Sequence, residues 1–290
     1  MSDRAGAAAQ ESERVAPQFA TFWHGPLNAL AFNCLAVFAL SGASLRVYCY
    51  DRGVAAPDGV EVADAREICP DPSLIGRYVA AGRPSLATFA DQFRYRMIRD
   101  TGCCWVDTDI VCLRTPDFSA DPIVFGRQAE ARGKALINNA VLKLPATHHV
   151  LTRLIEIAEQ SAGRDISWGA IGPFLLTDLA EAAGIGDLAL DAEAFYPIAP
   201  DDFWKPFLPA FCDEVACTTR PSTFLHLWSA LIDRAGYDSS IGPPIGSFLH
   251  AAFSRAGALD RFTRIYDDEE IKRIMAPWMP DATTAGRGRA

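Results

Sequence analysis

Asp107 and Asp109 stand two residues apart in the run GCCWVDTDIVCL, Gly102 to Leu113, whose other side chains are almost all apolar. On a strand such residues face the same way, with Val106, Thr108 and Ile110 opposite. Two carboxylates on a buried strand repel each other and lose hydration, so a cation is the natural compensation. Oxygen ligands of this kind suit Mg²⁺ or Mn²⁺, which leave positions open for substrate phosphates. A solvated strand end or a turn cap explains a lone DxD equally well, so the reading depends on what else converges on it.

Two further groups of residues have suitable chemistry. Asp91 and Arg94 lie one helical turn apart, beside an apolar stripe, and can overlook a sheet edge; a local surface ion pair has the same spacing. In TFLHLW, His226 and Trp228 share one strand face with Phe224. A neutral imidazole can ligate a metal and an indole N–H can donate to a phosphate oxygen, although a lone histidine on an apolar strand is often structural.

These residues need a scaffold that brings distant segments together. Phe19 to Trp23 reads as a strand ending at His24-Gly25-Pro26, followed by a helix with Leu30, Phe32, Leu35 and Phe38 on its stripe. Ser41-Gly42 stops that helix, and Leu45 to Tyr50 reads as a second strand. Strand, helix, strand implies a parallel sheet. A second helix runs from the N-cap Ser85 to Gly102 and delivers the chain into a strand over Trp105 to Leu113. Helices are expected at His149 to Gln160, Pro173 to Ala183, Ser229 to Ala235 and Ser247 to Ala256, and a strand at Thr223 to Trp228. Tyr196 to Pro209 reads as an irregular connection. One α/β domain over residues 17–278 with a single central sheet is the economical reading, with disordered tails at 1–16 and 279–290.

Composition narrows the function class. Half of the 290 residues are hydrophobic, enough for a sizeable core. Acidic residues outnumber basic ones by 36 to 27, a balance that repels phosphate backbones and argues against nucleic acid as a partner. The apolar run Ala29 to Leu40 is too short and too polar to span a bilayer, and no signal peptide is recognisable. The eight cysteines include no CxxC pair, so reduced, mostly buried thiols in a cytoplasmic protein are expected.

Several ordered motifs carry a resemblance: FWHGPL after the first strand, SLATFADQFRYRMIRDTG, WVDTD, INNAVLKLP, WGAIGP and HLW. Over about Phe19 to His250 the chain resembles the DXD-containing glycosyltransferase family 32 and, more distantly, the catalytic domain of the large clostridial glucosylating toxins. The resemblance implies a GT-A nucleotide-diphospho-sugar transferase fold, a Rossmann-like central mixed sheet flanked by helices. On matching positions it implies Trp23 beside the base, Asp91 on the ribose and Arg94 at the donor phosphates or sugar. Asp107 would face ribose and donor sugar, and Trp228 the diphosphate. Asp109 would be the principal ligand of Mn²⁺ or Mg²⁺, with His226 and Asp107 contributing. Asn138 and Asn139 match a segment that approaches the donor sugar, giving Asp107, Arg94 and Asn139 the catalytic roles; two adjacent amides also suit a turn. Gly172-Pro173 matches a turn on the acceptor side. Cys103 and Cys104 depart from the pattern, standing where many relatives have glycine.

The expected activity is a retaining, metal-dependent transfer of a hexose from a nucleotide sugar, UDP-linked by default, to a saccharide or glycolipid hydroxyl. No convincing carboxylate nucleophile is apparent, which favours same-face attack. Phe203, Trp204 and Phe207 can stack on acceptor sugars or pack in the core. An inactive nucleotide-sugar binder or scaffold is the alternative. A haloacid dehalogenase-like phosphatase is another, since Asp107 to Val111 also fits its DxDx(T/V) motif. The expected location is cytoplasmic, with peripheral membrane association where the acceptor is lipid-linked.

Overall fold

The computed structural model describes residues 18–129 and 135–280. The expected tails at 1–16 and 279–290 lie outside the described residues, save for Met279 and Pro280.

β1 (Phe19–Trp23) is the expected strand, and its alternation is real: Phe19 enters one core layer, Ala20 and Phe22 the other. α1 (Ala29–Leu40) starts at Asn28, whose Oδ1 accepts the Ala31 N–H at 2.8 Å, and is buried along most of its length. That burial explains why its sequence is apolar nearly all round. β2 (Leu45–Cys49) and β3 (Val60–Asp64) follow, both parallel to β1 in the order β3-β2-β1.

β4 (Val79–Ala80) and β5 (Arg83–Pro84) form a hairpin that leads into α2 (Leu86–Thr101). The ends of α2 are set by local chemistry. Ser85 Oγ accepts the Thr88 N–H at 3.2 Å, and Gly102 closes the helix at φ +71°, donating to the Ile98 carbonyl at 2.9 Å. β6 (Cys104–Val106) then pairs in parallel with β1 on the side away from β2. Cys103 and Cys104 are both buried; Gly102 supplies the left-handed residue at this turn, so neither cysteine has to.

The strand expected over Trp105 to Leu113 is broken. It ends at Val106, turns through Asp107, Thr108 and Asp109, and resumes as β7 (Ile110–Cys112) outside the main sheet. β8 (Val124–Arg127) and β9 (Ile137–Lys143) complete the central sheet, both antiparallel to their neighbours, in the order β3-β2-β1-β6-β9-β8. The sheet is therefore mixed and flanked by helices on both faces.

α3 (His149–Gln160) packs beside α2, and β10 (Asp165–Ile166) joins β4 and β5 in a second sheet of three short strands. α4 (Pro173–Ala182), α5 (Ala192–Phe195), α6 (Cys212–Thr218), β11 (Phe224–His226), α7 (Ser229–Ala235), α8 (Phe248–Arg255) and α9 (Asp268–Met275) complete the order. β11 pairs antiparallel with β7, so among the described residues two small sheets stand beyond the one expected. The stretch from Tyr196 to Pro209 is a series of short 3₁₀ turns, and Phe203, Trp204 and Phe207 within it are core residues, between 0 and 2% exposed. They are therefore not sugar platforms. Among the described residues no helix is long and apolar enough to cross a membrane.

Candidate functional site

The strand order reverses between β1 and β6: the chain runs outward through β2 and β3, then returns to the other side of β1. In open α/β sheets, ligands bind outside the carboxyl ends of the strands at such a reversal. Asp107 is the residue immediately after β6. Its backbone is fixed by N–H donation to the Ala140 carbonyl at 2.8 Å, and Ile110 N–H closes the turn on the Asp107 carbonyl at 3.2 Å. The two aspartates therefore converge through a turn, not by strand alternation. A continuous strand would have carried both carboxylates along the sheet; the turn lets them leave it where the crevice begins. Parallel register places Ala20 opposite Trp105, so Trp23, three residues on, ends β1 level with this turn. Its indole N–H donates to the Pro26 carbonyl at 3.1 Å.

β11 brings His226 to the aspartates. Its pairing sets His226 opposite Ile110, and Leu227 N–H donates to the Asp109 carbonyl at 3.0 Å. His226 Nε2 lies 3.3 Å from Asp109 Oδ2, which also accepts the Ser229 N–H at 2.8 Å. Asp107, Asp109 and His226 each offer one ligand atom, all within 4.8 Å of one another. Burial alone would raise the Asp109 carboxyl, but His226 and Ser229 outweigh it and hold it down at about 2. Burial opposes the charge on His226, yet Asp109 pulls its pKa up. Proton and metal would therefore compete for this imidazole. His226 Nδ1 is buried and without a hydrogen-bond partner among the described residues. Two carboxylates and one imidazole, close together at a strand end, fit a divalent cation that keeps positions open.

α2 supplies a cation to the other side of Asp107. Arg94, 4% exposed, donates to Asp107 Oδ1 at 2.9 Å and to the Asn139 carbonyl at 2.6 Å, and lies 3.4 Å from Asp91. Asp91 and Arg94 thus belong to a buried network and are not a surface ion pair. Asp91 Oδ1 accepts the Asn139 amide at 2.8 Å; burial, opposed by Arg94 and that amide, still pushes Asp91 up to about 6. Burial also raises Asp107, against the pull of Arg94. For Arg94 burial works against the charge, and Asp107 and Asp91 more than offset it.

Trp228 and the Asn138-Asn139 pair have partners of their own within the protein. Trp228 Nε1 donates to the Ile198 carbonyl at 3.0 Å, so its N–H is already used and not turned to a phosphate. Trp228 has φ +60° and is buried, ending β11 in a left-handed turn that aims Ser229 N–H at Asp109. Asn138 and Asn139 stand on β9, not in a turn, and face opposite ways. Asn139 joins Asp91, whereas Asn138 bonds Gln128 and the Ala140 N–H.

Trp105 and Tyr196 carry no role in the sequence reading, and Gly172 is expected there only at an acceptor-side turn. Trp105 donates its indole N–H to Asp107 Oδ1 at 2.6 Å, and the Arg94 guanidinium lies 4.7 Å over its ring. Alternation two residues before Asp107 could have suggested Trp105. Gly172 precedes α4, and a Cβ built on it would lie 2.8 Å from Asp91 Oδ2. Tyr196 packs its ring against His226 and Trp228. No local signal marks Gln128 or Tyr196 as part of the site. Two hollows of about 420 and 390 Å³ lie against α1 and share Phe32 and Arg261; the acidic cluster lines neither.

No family model matches the chain, and no curated protein matches it in sequence. Solved structures with a similar chain path include one described as PaToxG glycosyltransferase, at 12% identity and TM-score 0.42, covering 91% of this chain and 85% of that one. Another is the glycosyltransferase GlyE of Streptococcus pneumoniae, at 14% identity and TM-score 0.40. This overlap covers 91% of this chain but only 64% of the other.

Proposed function

We propose that this protein is a glycosyltransferase that moves a hexose from a nucleotide sugar, by default UDP-linked, to a saccharide or lipid-linked acceptor. The observation that carries the reading is the convergence of Asp107, Asp109 and His226 with Arg94 at the strand reversal, where open α/β sheets receive ligands.

Breaking a sugar to diphosphate bond leaves negative charge on the departing phosphate. A divalent cation such as Mn²⁺ or Mg²⁺, when bound, would supply charge compensation there. Asp109 and His226 are its proposed holders, with Asp107 as the third. Arg94 presents a buried, permanent positive charge whose Nε has no partner among the described residues, and it is proposed to face the leaving phosphate or the sugar. Asp91 and Asn139 would position the donor, and Trp23, level with the turn, would lie beside its base. Asp107 is engaged by Arg94 and Trp105, which suits orientation better than covalent attack, so same-face displacement with retention is the proposed route. Trp228 enters only as the residue that sets Ser229 against Asp109. Action in the cytoplasm, peripheral to a membrane where the acceptor is lipid-linked, is part of the same proposal.

The phosphatase alternative gains nothing from the arrangement: among the described residues, arginine and tryptophan bond Asp107, and no lysine does. The test is nucleotide release from a panel of UDP- and GDP-sugars, with and without Mn²⁺. Release of one nucleotide that needs the metal and is lost in Asp109→Ala is the expected result. Metal-dependent binding of a donor without release, even with saccharide acceptors present, would leave an inactive binder and overturn the transferase.

A further inference from the structure

Most aromatic side chains in this protein are buried, which makes the exposed ones informative. Trp168 is 55% exposed and Phe174 37%, and both belong to one short segment, Ser167 to Phe174, that contains no charged residue. The segment is tightly folded. Ala170 N–H donates to the Ser167 carbonyl at 3.1 Å, and Gly172 N–H to the Gly169 carbonyl at 3.0 Å. Gly169 has φ +77°, and a Cβ built on it would lie 3.0 Å from Phe174 Cδ2, so the Phe174 ring lies on the residue next to Trp168.

This loop is fastened to the candidate site. On its near side β10 pairs with β4, in the small sheet whose other edge leads into α2. At its far end Tyr95 Oη donates to the Ile171 carbonyl at 2.7 Å, and Gly172 abuts the Asp91 carboxylate. Tyr95 and Asp91 are one turn apart on α2, and Asp91 leads through Arg94 to Asp107. Contacts are therefore continuous from the exposed rings to the acidic cluster.

We propose that Trp168 and Phe174 form a rim on which a sugar ring of a neutral acceptor saccharide stacks; the acceptor role rests on the glycosyltransferase reading. A pyranose offers apolar C–H faces to an aromatic plane while its hydroxyl edge stays in water, which matches half-exposed rings on a wet loop. The uncharged segment provides nothing to hold a phosphate, and a net charge of −9 disfavours polyanionic acceptors. The donor belongs with Arg94 and the metal-holding residues; the rim faces solvent, from which an acceptor arrives.

The experiment is calorimetric titration of the full chain with maltotetraose, cellotetraose and chitotetraose, each with and without UDP and Mn²⁺. At least one of these should bind. Trp168→Ala should weaken that binding about tenfold or more, while Trp168→Phe keeps it within about threefold and the control Ile245→Ala within about twofold. Binding by none of the three, or equal binding by Trp168→Ala, overturns the rim. The two readings fail separately. Saccharide binding lost in Trp168→Ala without nucleotide release from any donor sinks the transferase and leaves the rim standing as a saccharide site.

Discussion

Asp91 is the side chain whose environment is most finely balanced. It sits beside Arg94 and accepts an amide, yet burial leaves its pKa at about 6, above that of an unfolded aspartate. A carboxyl raised on folding binds more protons folded than unfolded, so its contribution is present at low pH and lost as pH rises through the folded pKa. Between pH 4 and 7 the wild type should therefore lose about 2 kcal/mol relative to Asp91→Asn, which carries no titrating group there. Urea unfolding of both proteins across that range checks it; a constant difference would mean that Asp91 stays ionised. Gly172 acts on the same carboxylate. Gly172→Ala puts a methyl where Asp91 Oδ2 lies, and should reduce nucleotide release by about tenfold or more through displacement of the positioning network. Steady-state rates set beside melting temperature separate that effect from a general loss of fold.

At the scale of elements, α2 bears the most consequence, because it carries Asp91, Arg94 and Tyr95 and ends at the turn into β6. Its C-terminal stop depends on a left-handed residue at Gly102. Gly102→Ala forces a side chain into that conformation and should cost about 1 kcal/mol, seen as a shift of the urea midpoint with an unchanged slope. The Asp107 to Asp109 turn is the other decisive element. It sends the chain out of the central sheet into the β7–β11 pair and so permits His226 to meet Asp109. Trp228, left-handed with a bulky side chain, is an uncommon conformation held by burial and its bond to Ile198.

For the whole molecule, ligand linkage is the accessible quantity. An ion that binds the folded cluster and not the unfolded chain stabilises by mass action, about 2.7 kcal/mol at a hundredfold excess over its Kd. Addition of Mn²⁺ should raise the melting temperature of the wild type, and Asp109→Asn or His226→Ala should remove that rise. An equal rise in the variants would place the ion elsewhere. The excess of acidic residues makes weak surface binding of cations a real background, so the comparison with the variants decides the outcome.

What the sequence determined by itself was what neighbours along the chain can determine. Ser85 and Gly102 bound α2, an apolar stripe and the Ser41-Gly42 stop placed α1, and the aromatic and β-branched run at Phe19 set β1. Turn chemistry and side-chain spacing act within one or two turns, so these were legible. The acidic pair was also visible as chemistry, as were Asp91, Arg94 and His226 as possible companions. Tertiary structure alone decided their use. It broke the DTD strand, buried Phe203, Trp204 and Phe207, spent the Trp228 N–H on Ile198, turned Asn138 to Gln128, and set Gly172 and Trp105 against the carboxylates. Each of these depends on groups far apart in the chain competing for one buried donor, acceptor or volume, and no local pattern records which of them wins.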